Sequence, residues 1–319
     1  MALAAWAIAA ASGCGNGNGD SDNSGPEVTA RTPTTNFPRP TGRSFRALLE
    51  NYPQGPAVAP SVSVLRPGEN RFGFGLFDSG NRQIAGLDVA LYVAEGLDET
   101  AHGPFPARYT PIQVEPEFRS RTSADDPDSA RSVYVAGIDF PHAGSYLVSA
   151  VAKLTGKFVA AQPAQVRIRT DSGIPDVGDR AIRVHTPTVK SVGGDISKVE
   201  TRVPPDSMHE VDLADALDRH RPVILLFATP ALCQSRVCGP VTDVAEEVKS
   251  EFDDKLDFIH MEFYVDNEIE KGPRPQVRAW GLRAEPFLFA IDSKGIVVDR
   301  IQGAFGADEL RAAVHKALR

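Results

Sequence analysis

Cysteine is scarce in this chain, with three residues in 319, at positions 14, 233 and 238. So few exclude a small scaffold stapled by disulfides, and a core must come from apolar packing. Basic runs are missing as well. With 34 Lys and Arg against 42 Asp and Glu, and a net charge of -8, no positive field exists to hold a phosphate backbone. Nucleic acid is therefore not expected as a partner. Beyond the first dozen residues no apolar stretch reaches the length that crosses a bilayer. What remains is ordinary globular composition, 42% hydrophobic and 24% charged. That excludes disorder of the whole chain, and the length, about twice that of a common domain, suggests two folded units.

Residues 2–11, ALAAWAIAAA, form an apolar run too short to span a bilayer and suited to the apolar region of a signal peptide. Ala11-Ser12-Gly13-Cys14 follows, and it resembles the lipobox of bacterial lipoproteins. The resemblance implies a signal peptide over 1–13, lipidation at Cys14 and an extracytoplasmic protein anchored to the cell membrane. Ala11 stands where that family favours Leu, and no Lys or Arg precedes the apolar run. A plain secretory signal is the alternative, and it too places the mature chain outside the cytoplasm. Residues 14–43 are dominated by Gly, Asn, Ser, Asp, Thr and Pro, a composition that cannot repay the entropy of ordering, and read as a disordered tether.

From 44 to 170 the pattern is β. Candidate strands are SVSVLR (61–66), NRFGFGLFD (70–78), LDVALYVAE (87–95), RYTPIQVE (108–115), SVYVAGIDF (132–140), SYLVSAVAK (145–153) and PAQVRIRT (163–170). Phe72, Phe74 and Leu76 alternate onto one face, as do Tyr146, Val148 and Ala150. Turn signals such as Arg66-Pro67-Gly68 and His142-Ala143-Gly144 separate them. About seven short strands in this span suggest an antiparallel sandwich. Tyr146, soon after a turn, resembles the tyrosine corner of immunoglobulin-like domains, so an Ig-like all-β sandwich is expected here. The acidic loop Ala124-Asp125-Asp126-Pro127-Asp128 matches no defined calcium loop.

Residues 171–205, rich in Gly, Pro, Asp and Thr, read as a connector that packs in part on its neighbours; His185 lies here. From 206 to 319 the pattern changes to α/β. VDLADALDRHR (211–221) is helical, PVILLFAT (222–229) is a continuous apolar run typical of a strand covered on both faces, and a helix with Val241, Val244, Val248 and Phe252 on one side follows the cysteines. KLDFIHMEFYVD forms a second buried strand, AEPFLFAID and IVVDRIQ a hairpin, and a last helix from Ala307 turns Leu310, Val314 and Leu318 inward.

This β-α-β then β-β-α order resembles the thioredoxin-like superfamily. Pro222 opens the first strand, Phe227-Ala228-Thr229 leads to the cysteines, Pro240 follows the second, Pro286 stands where the family has its cis-proline, and Gly303-Ala304 precedes the last helix. The resemblance implies an α/β thioredoxin-like domain acting as a thiol-disulfide oxidoreductase on protein thiols or disulfides, with no cofactor. Cys233 would attack or be attacked and Cys238 resolve; Pro286, with Glu285 and Arg236, would face the partner. This chain departs from the family in having four residues between its cysteines, Leu232 in place of Trp, Leu226 in place of a buried acid, and Glu285 before the proline.

Positions five apart on a regular helix point about 140° apart. One cysteine is thus expected on a loop, and Pro240, which tolerates only an early helical position, places the helix start near Cys238. Arg236 between the cysteines would favour a thiolate. Two alternatives stay open: a structural disulfide on a non-enzymatic binding or assembly module, and copper handling by the cysteines with His260 or His315, as in copper-delivering proteins of similar fold. Met261 and Trp280 read as core residues, and no metal site is assigned.

Overall fold

The computed structural model describes residues 29–171 and 173–319. Residues 1–13, expected as a signal peptide, and Cys14 lie outside the described residues. Among those described, no helix is long and apolar enough to cross a membrane.

The first half opens with a short helix, α1 (Phe45–Leu49), and continues as β1 (Ala57–Pro60), β2 (Gly68–Phe77), β3 (Asp88–Ala94) and β4 (His102–Pro111). A one-turn helix, α2 (Arg121–Ala124), precedes β5 (Ser132–Phe140), β6 (Gly144–Leu154), β7 (Lys157–Ala160) and β8 (Ala164–Ile168). All pairings are antiparallel, in the order β1-β2-β5-β4-β3-β6-β7 with β8 on β6. The alternating residues of β2 (Phe72, Phe74, Leu76) and of β6 (Tyr146, Val148, Ala150) share one core although they lie four strands apart in the order, so the sheet curls upon itself. The Tyr146 hydroxyl donates to the His142 carbonyl at 3.3 Å, the tie-back expected of a tyrosine corner. The β architecture is as expected, but its hydrogen bonding is continuous rather than divided between two Ig-like sheets. The reason is β4, which pairs with β3 through its first half and with β5 through Arg108–Pro111.

Two segments differ from the sequence reading. Residues 29–43, counted with the tether, lie against the sheet. Arg31 exchanges backbone hydrogen bonds with Tyr109 at 2.9 Å and pairs with Asp88, Phe37 is buried, and the Tyr92 hydroxyl donates to the Pro38 carbonyl at 2.7 Å. Phe37 and α1 cover the outer face of β3 and β6, where Tyr92 and Val151 would otherwise meet water. Residues 61–65 form no strand. They run instead along the second half of the chain, where the Gln302 side chain accepts from the Ser63 and Val64 amides at 3.0 and 2.9 Å. Gly303, at φ 72°, sits so close to the Ser61 carbonyl that any Cβ would overlap it.

The second half comprises α3 (Leu213–Asp218), β9 (Val223–Phe227), α4 (Cys238–Phe252), β10 (Asp257–Met261), α5 (Pro275–Ala279), β11 (Phe287–Ile291), β12 (Val297–Gln302) and α6 (Ala307–Ala317). The sheet order is β10-β9-β11-β12, with β9 parallel to β10 and antiparallel to β11. This is the connectivity the thioredoxin-like resemblance implies. Every residue of β9 and β11 is buried, as strands covered on both faces require. Helices α4 and α6 cover one face through Val241, Val244, Val248, Leu310 and Val314. Leu318, expected inward, caps α6 and is exposed. Trp280 and α3 cover the other face, to which β10 contributes Met261.

The halves share buried contacts. Ile112 and Val133 of the first half join the core under α4 and α6. Arg71 pairs with Glu309 and donates to the Gln302 and Ala304 carbonyls at 3.0 and 2.7 Å. Arg202, in the connector, pairs with Asp243 of α4 at 2.8 Å with both side chains buried, and Asp243 also accepts from the Ser120 amide.

Candidate active site

β9 delivers the chain to the site. Its apolar run ends at Ala228-Thr229-Pro230, and the chain then turns sharply, with the Arg236 amide donating to the Cys233 carbonyl at 3.1 Å. Helix α4 begins at Cys238, and Pro240 falls in its first turn, where its missing N–H leaves no bond unmade. Cys233 therefore lies on the loop and Cys238 on the helix, and the two form a disulfide with Cα atoms 5.9 Å apart. Cys238 is wholly buried at the positive end of the helix dipole, which favours negative charge there. Cys233 is 7% exposed and borders an open cleft of about 640 Å³ shared with Ser123, Asp126, Leu232, Arg236 and Ile269. The Ser235 hydroxyl is 3.2 Å from Cys233 Sγ.

The peptide between Glu285 and Pro286 is cis. Pro286 is buried. Glu285 is not placed at the edge of a substrate groove, where the sequence reading put it. Its carboxyl turns inward, and one of its oxygens and both disulfide sulfurs lie within 4.8 Å of one another. Both carboxyl oxygens are buried without a well-formed hydrogen bond. Burial pushes this carboxyl up to about 8; Thr229 beside it opposes the rise and the nearby Glu262 adds to it. An acid thus lies beside the disulfide, on the segment that enters the cis-proline, although Leu226 stands where the family has one. Sequence reasoning overlooked this because a residue preceding a proline carries no sign of which way its side chain faces.

Arg236 also differs from its expected role. Its guanidinium pairs with Asp126 at 2.7 Å, so its charge is engaged by the curled-sheet domain rather than presented to a partner or to the sulfurs. Its carbonyl accepts from the Ala130 amide at 3.0 Å. The excursion between β4 and β5 therefore rests on the cysteine loop. Gly239, in the first turn of α4, has Ser123 Oγ 2.8 Å from where a Cβ would stand. Ser123 lines the cleft without any mark in the sequence, and Asp126 and Thr229, noted there only in the acidic loop and in the approach to the cysteines, stand beside the cysteine loop and Glu285. The acidic loop 124–128 does not gather into a ligand set, since Asp126 is engaged by Arg236 and also accepts from the Asp128 amide.

The copper ligand set is not assembled. His260 belongs to a separate buried cluster and is not grouped with the cysteines, and His315 is exposed and packs edge-on against Phe252. His185 pairs with Asp212 at 3.0 Å, and Asp212 in turn caps α3.

Behind the disulfide lies a second group of acids. Thr229 accepts from the Phe263 amide at 3.0 Å, and next to Phe263 stands Glu262, buried and pushed up to about 7 by burial, with Glu200 adding to the rise and His260 opposing it. One Glu262 oxygen accepts from the Thr201 amide and hydroxyl, at 2.7 and 2.8 Å, and the other has no partner.

No family model matches the chain, and no curated protein does. Among solved structures, one described as that of a thiol:disulfide interchange protein DsbE from Chlorobium tepidum is similar, with 19% identity, a TM-score of 0.31, 46% of this chain covered and 99% of that chain.

Proposed function

We propose that this chain is a thiol-disulfide oxidoreductase of protein partners, held outside the cytoplasm by a lipid on Cys14. The observation that carries the reading is a disulfide at the head of a helix with a buried acid beside it that has no well-formed hydrogen bond. A partner thiolate attacks Cys233 Sγ, the sulfur that borders the cleft; the Cys233–Cys238 bond breaks and its electron pair leaves on Cys238. The neutral Glu285 carboxyl gives its proton to that thiolate. A second partner thiolate then attacks the partner's own sulfur in the mixed disulfide and releases reduced Cys233. Run backwards, Glu285 takes the proton from Cys238 as it resolves. The cleft rim offers backbone to the partner, while Pro286, buried and with its carbonyl accepting from the Gly303 amide at 2.9 Å, holds the turn beneath it; Arg236 in this scheme holds the rim through Asp126.

Domain limits of 44–170 and 206–319, with 171–205 between them, belong to the same proposal, as does the signal peptide over 1–13. The near-complete burial of both cysteines favours a second reading, in which the disulfide only pins the loop to α4 and the protein is a binding or assembly module.

Trapping separates the two. A Cys238→Ser variant should accumulate mixed disulfides through Cys233 in cells. Absence of such adducts, together with a reduction potential well below the thioredoxin couple at about -270 mV, would assign the bond a structural role. Labelling with radioactive palmitate, lost in Cys14→Ser, tests the anchor.

A further inference from the structure

We propose that Glu200, Asp206, His209 and His260 form a four-ligand site for one divalent cation of the zinc class. The site is a group separate from the disulfide, tied to the end of β9 through the Ala228 carbonyl, and stands independently of the redox reading. Three ligands come from the connector and the segment after it, and the fourth from β10. One donor atom from each of the four lies within 4.8 Å of the other three, and all four side chains are at most 1% exposed.

His260 shows how the site is aimed. Its Nε2 is bound to the Ala228 carbonyl at 3.0 Å, which fixes the proton on that nitrogen and turns Nδ1 to the carboxylates. Nδ1 is then 2.7 Å from Asp206 Oδ2 and 3.8 Å from Glu200 Oε2. His209 Nε2 stands 3.2 Å from Glu200 Oε2 and 3.6 Å from Asp206 Oδ1. Ligands at zinc's usual bond lengths and tetrahedral angles lie about 3.3–3.5 Å from one another, and the 2.7–3.8 Å separations bracket that spacing. Two imidazoles and two carboxylates make a donor set that suits zinc better than calcium or magnesium, which take oxygen ligands almost alone. The carboxylates are held from behind by backbone amides: Arg202 and Asp206 donate to Glu200 at 2.7 and 3.0 Å, and Met208 donates to Asp206 at 2.8 Å.

Charge points the same way. Two buried carboxylates need a positive partner. A divalent cation brings the two carboxylates to neutrality, and any proton on His260 Nδ1 leaves to solvent as it binds. It would also fasten residues 200–209 to the sheet.

The test uses the untagged full chain with its disulfide oxidised. After exposure to excess Zn²⁺ and exhaustive dialysis, elemental analysis should find close to one zinc per chain, and Co²⁺ in its place should show the visible bands of a tetrahedral site without a thiolate charge-transfer band. His209→Gln should weaken binding by more than ~100-fold, beyond the 10–100-fold usual for outer-shell changes. The double variant Cys233→Ser/Cys238→Ser should keep its metal. Wild-type protein that holds less than a tenth of an equivalent, or metal that is lost with the cysteines and kept in His209→Gln, would overturn the assignment. Because the stoichiometry and the cobalt spectrum are read on wild-type protein, the result stands even if a variant fails to fold.

Discussion

Two clusters of buried acids flank the end of β9, and they are built on opposite principles. Around His260 both carboxylates have partners: backbone amides and imidazole nitrogens meet Glu200 and Asp206. Beside the disulfide, Glu285 has a carboxyl with no well-formed hydrogen bond. A satisfied buried network adds rigidity, whereas a buried group without partners raises the energy of the folded chain and persists where its chemistry is used. The first cluster is thus expected to govern stability and the second reactivity.

The largest effect should come from the His260 cluster, where both carboxylates are met and, of the four ring nitrogens, His209 Nδ1 alone lacks a partner. Asp206→Ala removes the nearer carboxylate from His260 and leaves Nδ1 only Glu200 Oε2, at 3.8 Å, in the interior. Losses of this type reach about 3–5 kcal/mol, read as a lower urea midpoint with an unchanged slope. The opposite behaviour is expected at Glu285. There Glu285→Gln should slow exchange with a model dithiol about 100-fold at neutral pH, the scale of one general acid-base group, while thermal stability is kept or raised. A variant that exchanges at the wild-type rate would reduce Glu285 to a buried acid without function and erase the contrast.

The pH dependence sharpens it further. In the folded chain the Glu285 carboxyl titrates near 8, against 4.5 when unfolded. Between those values the folded chain keeps a proton that the unfolded chain has released. Stability from this group is therefore full below about pH 4.5 and is lost as pH rises through about 8. Glu262, raised to about 7, acts in the same direction over a narrower window. Denaturation midpoints from pH 5 to 9 should decline by the equivalent of a few kcal/mol in wild type and decline less in Glu285→Gln. Equal slopes in the two proteins would mean that Glu285 is solvated.

What could be read from the sequence follows the same division between local and convergent features. Phe72, Phe74 and Leu76, the run from Val223 to Phe227, and Val241, Val244 and Val248 announce their elements because strand and helix periods are written into neighbouring residues. The loop position of Cys233 followed from Pro240 and helical geometry. Phe37, in a stretch that reads as a tether, was illegible because a lone aromatic gains order only from the β3–β6 face it covers. Ser61–Leu65 alternates like a strand, yet its amides meet Gln302, 239 residues away for Ser63. Glu200, Asp206, His209 and His260 have no spacing that marks a motif, and only tertiary packing brings them together.

Gly239 links the reactive cluster to the other domain. Gly239→Ala drives a methyl group into Ser123 Oγ, which stands 2.8 Å from the place that methyl would occupy. Overpacking of this kind costs about 1–3 kcal/mol unless α2 moves away. If it does move, Cys233 should become more reactive toward a thiol reagent after reduction, at little cost in stability. An unchanged midpoint together with unchanged reactivity would show that α2 does not bear on the cysteine loop.

The smallest expected change is at the rim, where Arg236 and Asp126 pair with side chains 53% and 21% exposed. Such a pair contributes about 0–1 kcal/mol, so Asp126→Asn should barely move the denaturation midpoint. Its effect should fall on chemistry instead. Freed from Asp126, the guanidinium sits three residues after Cys233 on a tight turn and can lend positive charge to a thiolate there, while the backbone bond between Ala130 and Arg236 keeps the loop in place. Reduced Asp126→Asn should then react with iodoacetamide a few times faster than wild type at neutral pH, with the difference shrinking as salt is raised. A rate that rises equally at low and high salt would instead point to an opened cleft, and would move control of Cys233 from the charge of Arg236 to the seat of the α2 excursion.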